Sequence, residues 1–248
     1  MLTKFSTPEE EYEYACTQEK ECSKCCEIKT LIEYSTNTSG RDPFDQNGYR
    51  LRRPECKDCQ HVISIGKNEA KKSEINDPNA LALATVGSNS IPSVRMVLLK
   101  DFNSNGFVFY TNLNSRKSNE IKSNFNASMC FHWKSLLRQV RIIGKLTNVS
   151  DNDADKYYNS RSYESRIGAW ASNQSSVLKS RDVLLKSIEE FKKRYPDEKN
   201  VPRPQHWSGW NLNPQEIEFW LDGKNRIHER LLYKKIDNNN WEKSLLSP

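Results

Sequence analysis

The stretch that decides the fold is SVRMVLLKDFNSNGFVFYTNLNSRK, residues 93–117. In its first half, Val94, Met96 and Leu98 alternate with Arg95, which predicts a strand whose arginine points away from one apolar layer. The segment DFNSNG is rich in residues that tolerate the backbone angles of a tight turn. FVFYT has the composition of a returning strand, so we expect two strands joined by a glycine-containing turn.

A cationic helix start follows the second strand. Either Asn114 or Ser115 can cap a helix whose first turn holds Arg116 and Lys117. The free N–H groups of a helix N-terminus attract anions, and two cations beside them favour a phosphate. The alternative interpretation is an ordinary basic turn in contact with solvent.

Composition limits the classes of function. The 248 residues carry 38 Lys and Arg against 32 Asp and Glu, a net charge of +6. The charges are interspersed, without the long basic tract that is typical of nucleic-acid binding, so small phosphorylated ligands suit this balance better. No apolar run is long enough to span a membrane and the start lacks a signal-peptide pattern, so we expect a cytoplasmic protein without a membrane partner.

Six of the seven cysteines precede residue 60, and four of them form two C-x-x-C pairs. The pairs are Cys22 with Cys25 and Cys56 with Cys59, and Cys26 is an alternative to Cys25. Four thiolates in two such pairs predict a closed, structural Zn²⁺ site, and unmetallated structural thiols are the alternative. Clustering of this kind in a chain without a secretion signal favours a metal over disulfides.

The cysteine segment resembles small treble-clef zinc modules of phage and viral proteins over about 40 residues. We therefore divide the chain into an N-terminal segment with the zinc module, residues 1–60, a connecting helix, 61–76, and a large domain, 77–248. A structural role is expected for the module, and contact with a nucleic acid is the alternative, since only Arg50, Arg52 and Arg53 could form a basic surface.

From residue 77 onwards, strand patterns follow one another through short turns. DPNALALATV, IPSVRMVLLK and the long segment NASMCFHWKSLLRQVRIIGKLTNVS predict four strands besides FVFYT. Consecutive strands of this kind indicate an antiparallel β-barrel. The predicted class is mainly β with flanking helices.

A second candidate phosphate site lies in SDNDADKYYNSRSYESRIGAWAS. Ser150 is expected to cap a helix, and Tyr157, Arg161 and Ser165 follow at four-residue spacing, which would place them on one helical face. A guanidinium between two hydroxyls suits a phosphate dianion. An ordinary exposed helix is the alternative.

The C-terminal third begins with an amphipathic helix, NQSSVLKSRDVLLKSIEEFKKRYP, whose apolar stripe of Val177, Leu184, Ile188 and Phe191 is expected to join the core. A Pro-rich connection, NVPRPQHWSGWNLNP, then leads to the strand EIEFWLDG, the turn KNRIHER and a last hairpin. The turn and the strand before it contain four possible ligand contacts: Trp220, Arg226, His228 and Arg230.

Residues 77–248 resemble the pyridoxamine 5'-phosphate oxidase family through DPNALALATV, RMVLLK, FYTN, SRK, RQV, the SR…IGAWAS…QSS run, IEFW and RIHER. The resemblance implies a homodimeric, FMN-binding split barrel in which both subunits line each active site. It implies oxidation of pyridoxamine or pyridoxine 5'-phosphate by O₂ to pyridoxal 5'-phosphate, with release of H₂O₂.

The resemblance also implies roles for individual residues. The implied FMN contacts are Arg95, Lys100, Tyr110, Thr111, Arg116, Lys117, Gln139, Gln174, Ser175, Trp220 and Arg230. The implied substrate contacts are Lys100, Tyr157, Arg161, Ser165, Arg226 and His228, of which Arg226 and His228 are the candidate catalytic residues.

Three features depart from the family pattern. The turn RIHER has Glu229 in place of Asp, the C-terminal SLLSP has Leu245 in place of a cation, and the zinc-like module occupies the place of an N-terminal substrate lid. Two alternatives therefore stand beside an active oxidase. One is a flavin-binding or pyridoxal 5'-phosphate-binding protein with weakened turnover, and the other is a zinc-module adaptor that uses the barrel as a dimeric scaffold.

Overall fold

The computed structural model describes residues 19–21, 28–30, 34–36, 52–56, 68–74, 76–103, 105–237 and 240–248. The chain divides into two compact units, Met1–Ile65 and Gly66–Pro248.

In the first unit, the described residues form two pairs of antiparallel strands. Strand β1, Glu19–Glu21, pairs with β2, Ile28–Thr30, and β3, Tyr34–Thr36, pairs with β4, Arg52–Cys56. Strand β4 ends at the first cysteine of the second C-x-x-C pair. The other predicted zinc ligands, Cys22, Cys25 and Cys59, lie outside the described residues, so the zinc site and the proposed domain boundaries stay predictions.

In the second unit, nine strands of the described chain form one antiparallel sheet. They are β5, Ala80–Val86; β6, Pro92–Leu98; β7, Asp101–Asn103; β8, Gly106–Asn112; β9, Asn126–Trp133; β10, Arg138–Asn148; β11, Trp207–Leu221; β12, Glu229–Lys235; and β13, Trp241–Leu245. The main path runs β13-β12-β11-β10-β9-β5-β6, while β8 pairs with both β11 and β7.

Strand β11 makes the sheet curl, because it has different partners along one of its edges. Its first half pairs with β8, its second half pairs with β12, and its other edge pairs with β10. A register shift beside Gly144 leaves Gln215 unpaired next to Pro214, a bulge that accommodates a proline within the ladder. The Lys100 N–H donates to the Val108 carbonyl oxygen over 2.8 Å and links the two sides of the curled sheet. The predicted antiparallel barrel is confirmed as a half-barrel.

Helices flank this sheet. Residues 68–73 are helical, and the four longer helices are α1, Arg116–Ser123; α2, Asp151–Asn159; α3, Tyr163–Ala171; and α4, Arg181–Arg194. The predicted cap at Ser150 is confirmed, since its hydroxyl accepts from the Asp153 N–H. Ser115 precedes α1 as predicted, but its hydroxyl donates to the Asn112 carbonyl oxygen. No described helix has the length and apolarity needed to cross a lipid bilayer.

The core lies inside the curled sheet, where alternate side chains of the strands meet. Burial of their apolar area supplies most of the driving force for folding of this unit. Fully buried members include Leu81, Leu83, Phe107, Phe109, Met129, Ile142, Trp210, Leu212 and Ile217.

Two predictions about strands were wrong. First, β6 does not form a hairpin with β8; β7 does, and β6 pairs with β5 instead. Val94 and Met96 are mostly exposed in the protomer, so the buried side of β6 is the one that carries Arg95. Second, much of the supposed Pro-rich connection belongs to β11, which begins at Trp207. Tertiary pairing with β8 overrides the weak local strand pattern there.

Two predictions about helices were also wrong. Tyr157, Arg161 and Ser165 do not share one helical face, because α2 ends at Asn159 and Ser165 lies in α3. Ser162 caps α3 by accepting from the Ser165 N–H, a competing start signal inside the predicted helix.

The stripe expected in α4 is not core. Val177 precedes the helix and is fully exposed. Leu184, Ile188 and Phe191 are only half-buried. Contacts made at the edge of the unit, including a stack of Phe191 on Trp170 with centroids 5.6 Å apart, take the place of the predicted burial.

Candidate active site

A group of three cations gathers where β6 meets the start of α1. It consists of Arg95 on β6 and Arg116 and Lys117 in the first turn of α1, and we call it the first cation group. Arg95 reaches across β5, where its guanidinium donates to the Leu83 carbonyl oxygen over 3.2 Å and to the Thr85 hydroxyl over 2.5 Å. Strand pairing and a helix N-terminus thus place the three cations together.

The carboxylate of Glu120, one turn further along α1, ties this group together. Its Oε2 accepts from Arg95 over 3.0 Å, and its Oε1 accepts from Arg116 Nε over 2.8 Å. The hydroxyls of Thr85 and Ser93 each donate to Oε2 over 2.6 Å. Burial alone would raise the pKa of Glu120, but these hydrogen bonds outweigh it and lower the pKa to about 2, so the carboxylate stays ionised.

Lys117 points towards a second set of polar groups. Its Nζ donates to Thr111 Oγ1 over 3.0 Å, to Ser115 Oγ over 3.3 Å and to Gln174 Oε1 over 2.8 Å. Burial, with the nearby charge of Arg95, lowers the pKa of Lys117 to about 8, although Glu120 opposes the shift. A half-buried ammonium near two guanidinium groups is an environment that favours an anion.

A cavity of about 640 Å³ opens beside this group. Arg116, Asn114, Gln174 and Ser175 are among the residues that line it. Ser175 has a left-handed backbone, with a φ of 73°. Strained backbone of this kind often occurs where a ligand is bound.

A second site is built on an aromatic stack. Tyr110 stacks on Tyr157 with centroids 4.2 Å apart and on Trp207 with centroids 5.4 Å apart. Gly209 permits this arrangement, because a Cβ there would lie 2.8 Å from the Tyr110 ring. Burial, with the charges of nearby aspartates, raises the pKa of Tyr110 to about 12, so its phenol stays neutral.

Arg161 lies over this stack, and together with Lys100 and the three stacked rings it forms what we call the Arg161 site. Its guanidinium carbon is 4.8 Å from the Trp207 ring centroid and 5.9 Å from that of Tyr158. Its Nη1 is buried and has no hydrogen-bond partner among the described residues. Burial lowers the pKa of this guanidinium. Arg161 as a whole is half-buried, but a buried donor atom without a partner is costly unless an anion completes it.

Two other predicted substrate contacts lie near Arg161. Lys100 Nζ is 6.0 Å from the Tyr157 ring centroid. The Ser165 hydroxyl accepts from Ser162 over 2.9 Å, at the start of α3. The break between α2 and α3 thus replaces the predicted single stripe, while Tyr157 and Arg161 still meet around Trp207.

A third group, which we call the Trp220 group, lies at the end of β11. Trp220 pairs with Gln139 on β10 and packs on His228, with ring centroids 4.7 Å apart. His228 Nδ1 is 3.0 Å from the Asp222 carboxylate. Arg230 lies opposite Trp220 on β12.

Arg230 is held from two directions. Its Nε donates to the buried Glu218 carboxylate over 2.9 Å, and its Nη1 donates to the Ser247 carbonyl oxygen over 2.9 Å. Arg141 also donates to Glu218, and these bonds outweigh burial to lower the pKa of Glu218. The C-terminal residues are therefore anchored on a predicted cofactor contact.

Arg226 stands apart from these bonded networks. It belongs to a 3₁₀ turn, residues 224–226, in which Asn225 and Arg226 have φ values of 56° and 66°. Its side chain is exposed. The strained turn holds the guanidinium away from the sheet, where another surface can approach it.

The structure brings the predicted residues together as two sites on β8 and one distant group. The first cation group contacts Thr111, and the Arg161 site contains Tyr110; these are consecutive residues of β8 whose side chains leave opposite faces of the strand. Trp207 and Trp220 lie 13 residues apart on one strand, about 40 Å at the rise of an extended chain. The Trp220 group is therefore at the opposite end of β11 from the Arg161 site.

Sequence reasoning missed Glu120, Glu218 and Trp207. The four-residue spacing between Arg116 and Glu120 was a usable signal, since such pairs face each other on a helix. Glu218 and Trp207 gave no local signal, because their partners come from distant strands and loops.

A curled antiparallel sheet with flanking helices and two groups of cations on β8 defines a split-barrel protein with a site suited to anionic ligands. Residues 68–195 match the family described as pyridoxamine 5'-phosphate oxidase, and residues 207–248 match the pyridoxine 5'-phosphate oxidase C-terminal dimerisation region. The chain belongs to the pyridoxamine 5'-phosphate oxidase family.

Relatives agree with this placement. A pyridoxine/pyridoxamine 5'-phosphate oxidase of Pelagibacter ubique is 68% identical over 187 residues, which are 75% of this chain and 90% of that protein. One of Allorhizobium ampelinum is 58% identical over 67% of this chain and 81% of its own length.

Solved structures show the same fold. PhzG from Burkholderia lata, in complex with tetrahydrophenazine-1-carboxylic acid, has a TM-score of 0.70 at 30% identity and covers 75% of this chain and 91% of its own. An FMN-binding protein from Nostoc punctiforme has a TM-score of 0.62 at 20% identity, with 75% and 95% covered.

Proposed function

We propose that the protein is an FMN-dependent oxidase that converts pyridoxamine 5'-phosphate, pyridoxine 5'-phosphate or both to pyridoxal 5'-phosphate, with O₂ as the electron acceptor and H₂O₂ as the second product. The observation that carries the proposal is a pair of candidate anion sites that contact consecutive residues of β8. One is the first cation group, and the other contains the unpartnered buried Nη1 of Arg161. Two separate cationic sites suit one phosphorylated cofactor and one phosphorylated substrate.

The first cation group suits the phosphate of FMN. Arg95, Arg116 and Lys117 supply the charge, and Ser175 lines the adjoining cavity. Thr111 and Gln174 hold Lys117 Nζ in place. FMN, when bound, supplies the acceptor for a hydride from the substrate and passes the electrons to O₂.

The Arg161 site suits the phosphate of the substrate. Arg161 can donate two parallel hydrogen bonds to a phosphate, and Lys100, Tyr157 and Ser165 are the further contacts. The aromatic stack under the guanidinium fixes its plane and excludes water from one side. Anchoring both phosphates positions the two reactants without requiring a strong base.

The Trp220 group would complete the site from a second subunit. The match of residues 207–248 to a dimerisation region supports a homodimer. The exposed Val94 and Met96 provide apolar surface for such an association. In the dimer, Gln139, Trp220 and Arg230 would contact FMN of the partner.

Arg226 and His228 are the proposed catalytic residues. Arg226 would orient the reacting carbon from its strained turn, and His228 would hold the substrate ring and help with proton balance. Asp222 and the Trp220 ring fix the imidazole in place.

The test begins with the purified protein, its visible spectrum, and the formation of H₂O₂ and pyridoxal 5'-phosphate from each substrate. Flavin bands with both products support the oxidase. Flavin bands without product indicate a binding protein, and a protein without flavin indicates the adaptor alternative. Arg226→Ala should keep FMN and lose most turnover; unchanged turnover would remove Arg226 from the mechanism.

We also propose that Cys22, Cys25, Cys56 and Cys59 bind one structural Zn²⁺, which rests on their spacing alone. Within the residues that the structure describes, no cluster of three or more His, Cys, Asp or Glu could hold a metal. One zinc per chain in the wild type and in C16S, and its loss in C22S, would support the site. A wild-type protein purified without zinc, or a C22S protein that keeps it, would contradict it. Cytoplasmic location stays a prediction.

A further inference from the structure

Glu120 is an acidic residue at the centre of a site that should bind an acidic ligand. Its side chain is 12% exposed, and it accepts hydrogen bonds from Arg95 and Arg116. A carboxylate near a phosphate site repels the phosphate and weakens its binding. Such a residue therefore needs a compensating effect on binding. Its presence in the first cation group therefore needs an explanation.

Both carboxylate oxygens of Glu120 accept hydrogen bonds from the surrounding cations and hydroxyls. Oε2 accepts from Thr85, Ser93 and Arg95, while Oε1 accepts from Arg116 Nε. Because Arg116 bonds Glu120 through Nε, its two terminal nitrogens lie outside this hydrogen bond, and the side chain is 64% exposed. Both guanidinium groups are thus fixed in orientation before any ligand arrives.

The balance of charges in the first cation group also indicates a role for Glu120 before the ligand binds. Arg95, Arg116 and Lys117 carry three positive charges close to one carboxylate, and burial together with the charge of Arg95 lowers the pKa of Lys117. Glu120 cancels one of these charges in the ligand-free protein. A phosphate dianion would then balance the remaining two, so that the loaded site is neutral.

We infer that Glu120 is a positioning residue that holds Arg95 and Arg116 ready for the phosphate of the cofactor. This inference rests on the proposed function, because it takes FMN as the ligand of the first cation group. Glu120 does not touch the phosphate in this role. It removes the cost of ordering two flexible arginines at the moment of binding.

A comparison of two ligands distinguishes the positioning role of Glu120 from a general contribution to stability. FMN carries the phosphate, and riboflavin has the same ring system without it. Loss of positioning should weaken FMN alone, whereas loss of the fold should weaken both. The size expected is about 10- to 100-fold in the dissociation constant of FMN, the range for one lost charge-assisted hydrogen bond.

The experiment is a fluorescence titration of the flavin-free full-length protein with FMN and with riboflavin. The variants are Glu120→Gln, which removes the charge, and Glu120→Asp, which keeps it. Glu189→Gln is the matched control, because Glu189 makes an exposed ion pair with Lys192 on α4. Thermal melts of the flavin-free variants show whether each one folds.

The expected result is a selective loss of FMN affinity in E120Q, with riboflavin affinity within twofold of wild type, partial recovery in E120D and no change in E189Q. Equal losses for both flavins, or unchanged FMN affinity, would overturn the inference. If E120Q does not fold, E120D is the deciding variant. Its shortened carboxylate can no longer reach both arginines, so its FMN affinity should fall. An E120D protein with the FMN affinity of wild type would therefore also overturn the inference. A wild-type protein that binds no FMN would refute the proposed function itself.

Discussion

Replacing Arg161 by methionine should abolish use of the substrate while leaving the folded protein intact. Methionine keeps most of the length and apolar contact of the arginine stem against Trp207 but removes the charge and the donors. The buried Nη1 without a partner indicates that the arginine is maintained for a ligand and not for stability.

The two effects have different magnitudes. Removing an unsatisfied buried donor should recover about 1–3 kcal/mol, while loss of the cation–π contact with Trp207 should cost about 1–2 kcal/mol, so the net change in stability runs from a loss of about 1 kcal/mol to a gain of about 2 kcal/mol. Two charge-assisted hydrogen bonds to a phosphate contribute about 3–5 kcal/mol, which corresponds to a loss of roughly 100- to several-thousand-fold in kcat/KM.

Steady-state assays with pyridoxamine 5'-phosphate, the flavin content and the melting temperature measure the three parts of this prediction. R161M should keep its flavin, melt no more than about 4 °C below wild type and lose kcat/KM. Arg194→Met is the matched control, since the Arg194 guanidinium lies over the Tyr195 ring, 5.6 Å from its centroid, and its loss should leave KM unchanged. A kcat/KM within threefold of wild type, or loss of flavin from R161M, would refute the assignment of Arg161 to the substrate phosphate.

Three further predictions concern the flavin side and the scaffold. Because burial lowers the pKa of Lys117 to about 8, FMN affinity of the flavin-free protein should fall as pH rises from 7.5 to about 9.5, as measured by titration, whereas K117M should show a flat profile. The same lowered pKa means that Lys117 holds its proton more tightly in the unfolded chain than in the folded protein between pH 8 and 10.5. The contribution of Lys117 to stability should therefore rise with pH in that window. A melting temperature that falls with pH in the wild type but not in K117M would contradict this. Gly209→Ala should displace the Tyr110 ring, which would lie 2.8 Å from the new Cβ, and raise KM for substrate more than tenfold, while an unchanged KM would mean that the stack is dispensable.

Local sequence patterns gave the elements of the fold correctly where a single period or cap decided them. Strand composition between turn residues predicted β5, β9 and β10, and Ser150 predicted the start of α2. The failures occurred where two local signals compete. Ser162 restarts a helix within a pattern that otherwise continues, and strand pairing with β8 extends β11 back to Trp207.

The candidate site divides in the same way. The Arg116–Lys117 pair at a helix start and the Tyr157–Arg161 pair could be recognised from spacing, and the family resemblance supplied further residues. Sequence spacing could not find the contact of Glu120 with Arg95, because those residues are 25 positions apart and meet only through the packing of α1 on β5 and β6.

The sequence by itself determined the β-rich class, the cationic residue types and the membership of a phosphate-handling family, since these depend on periodicity and motifs that are local to the chain. Tertiary structure alone decided that Arg161 lies buried over Trp207 with a free donor, that Glu120 orders two arginines, and that the Trp220 group stands at the far end of β11. The physical reason is that burial, desolvation and hydrogen-bond saturation depend on which distant segments pack together, and no local pattern records that.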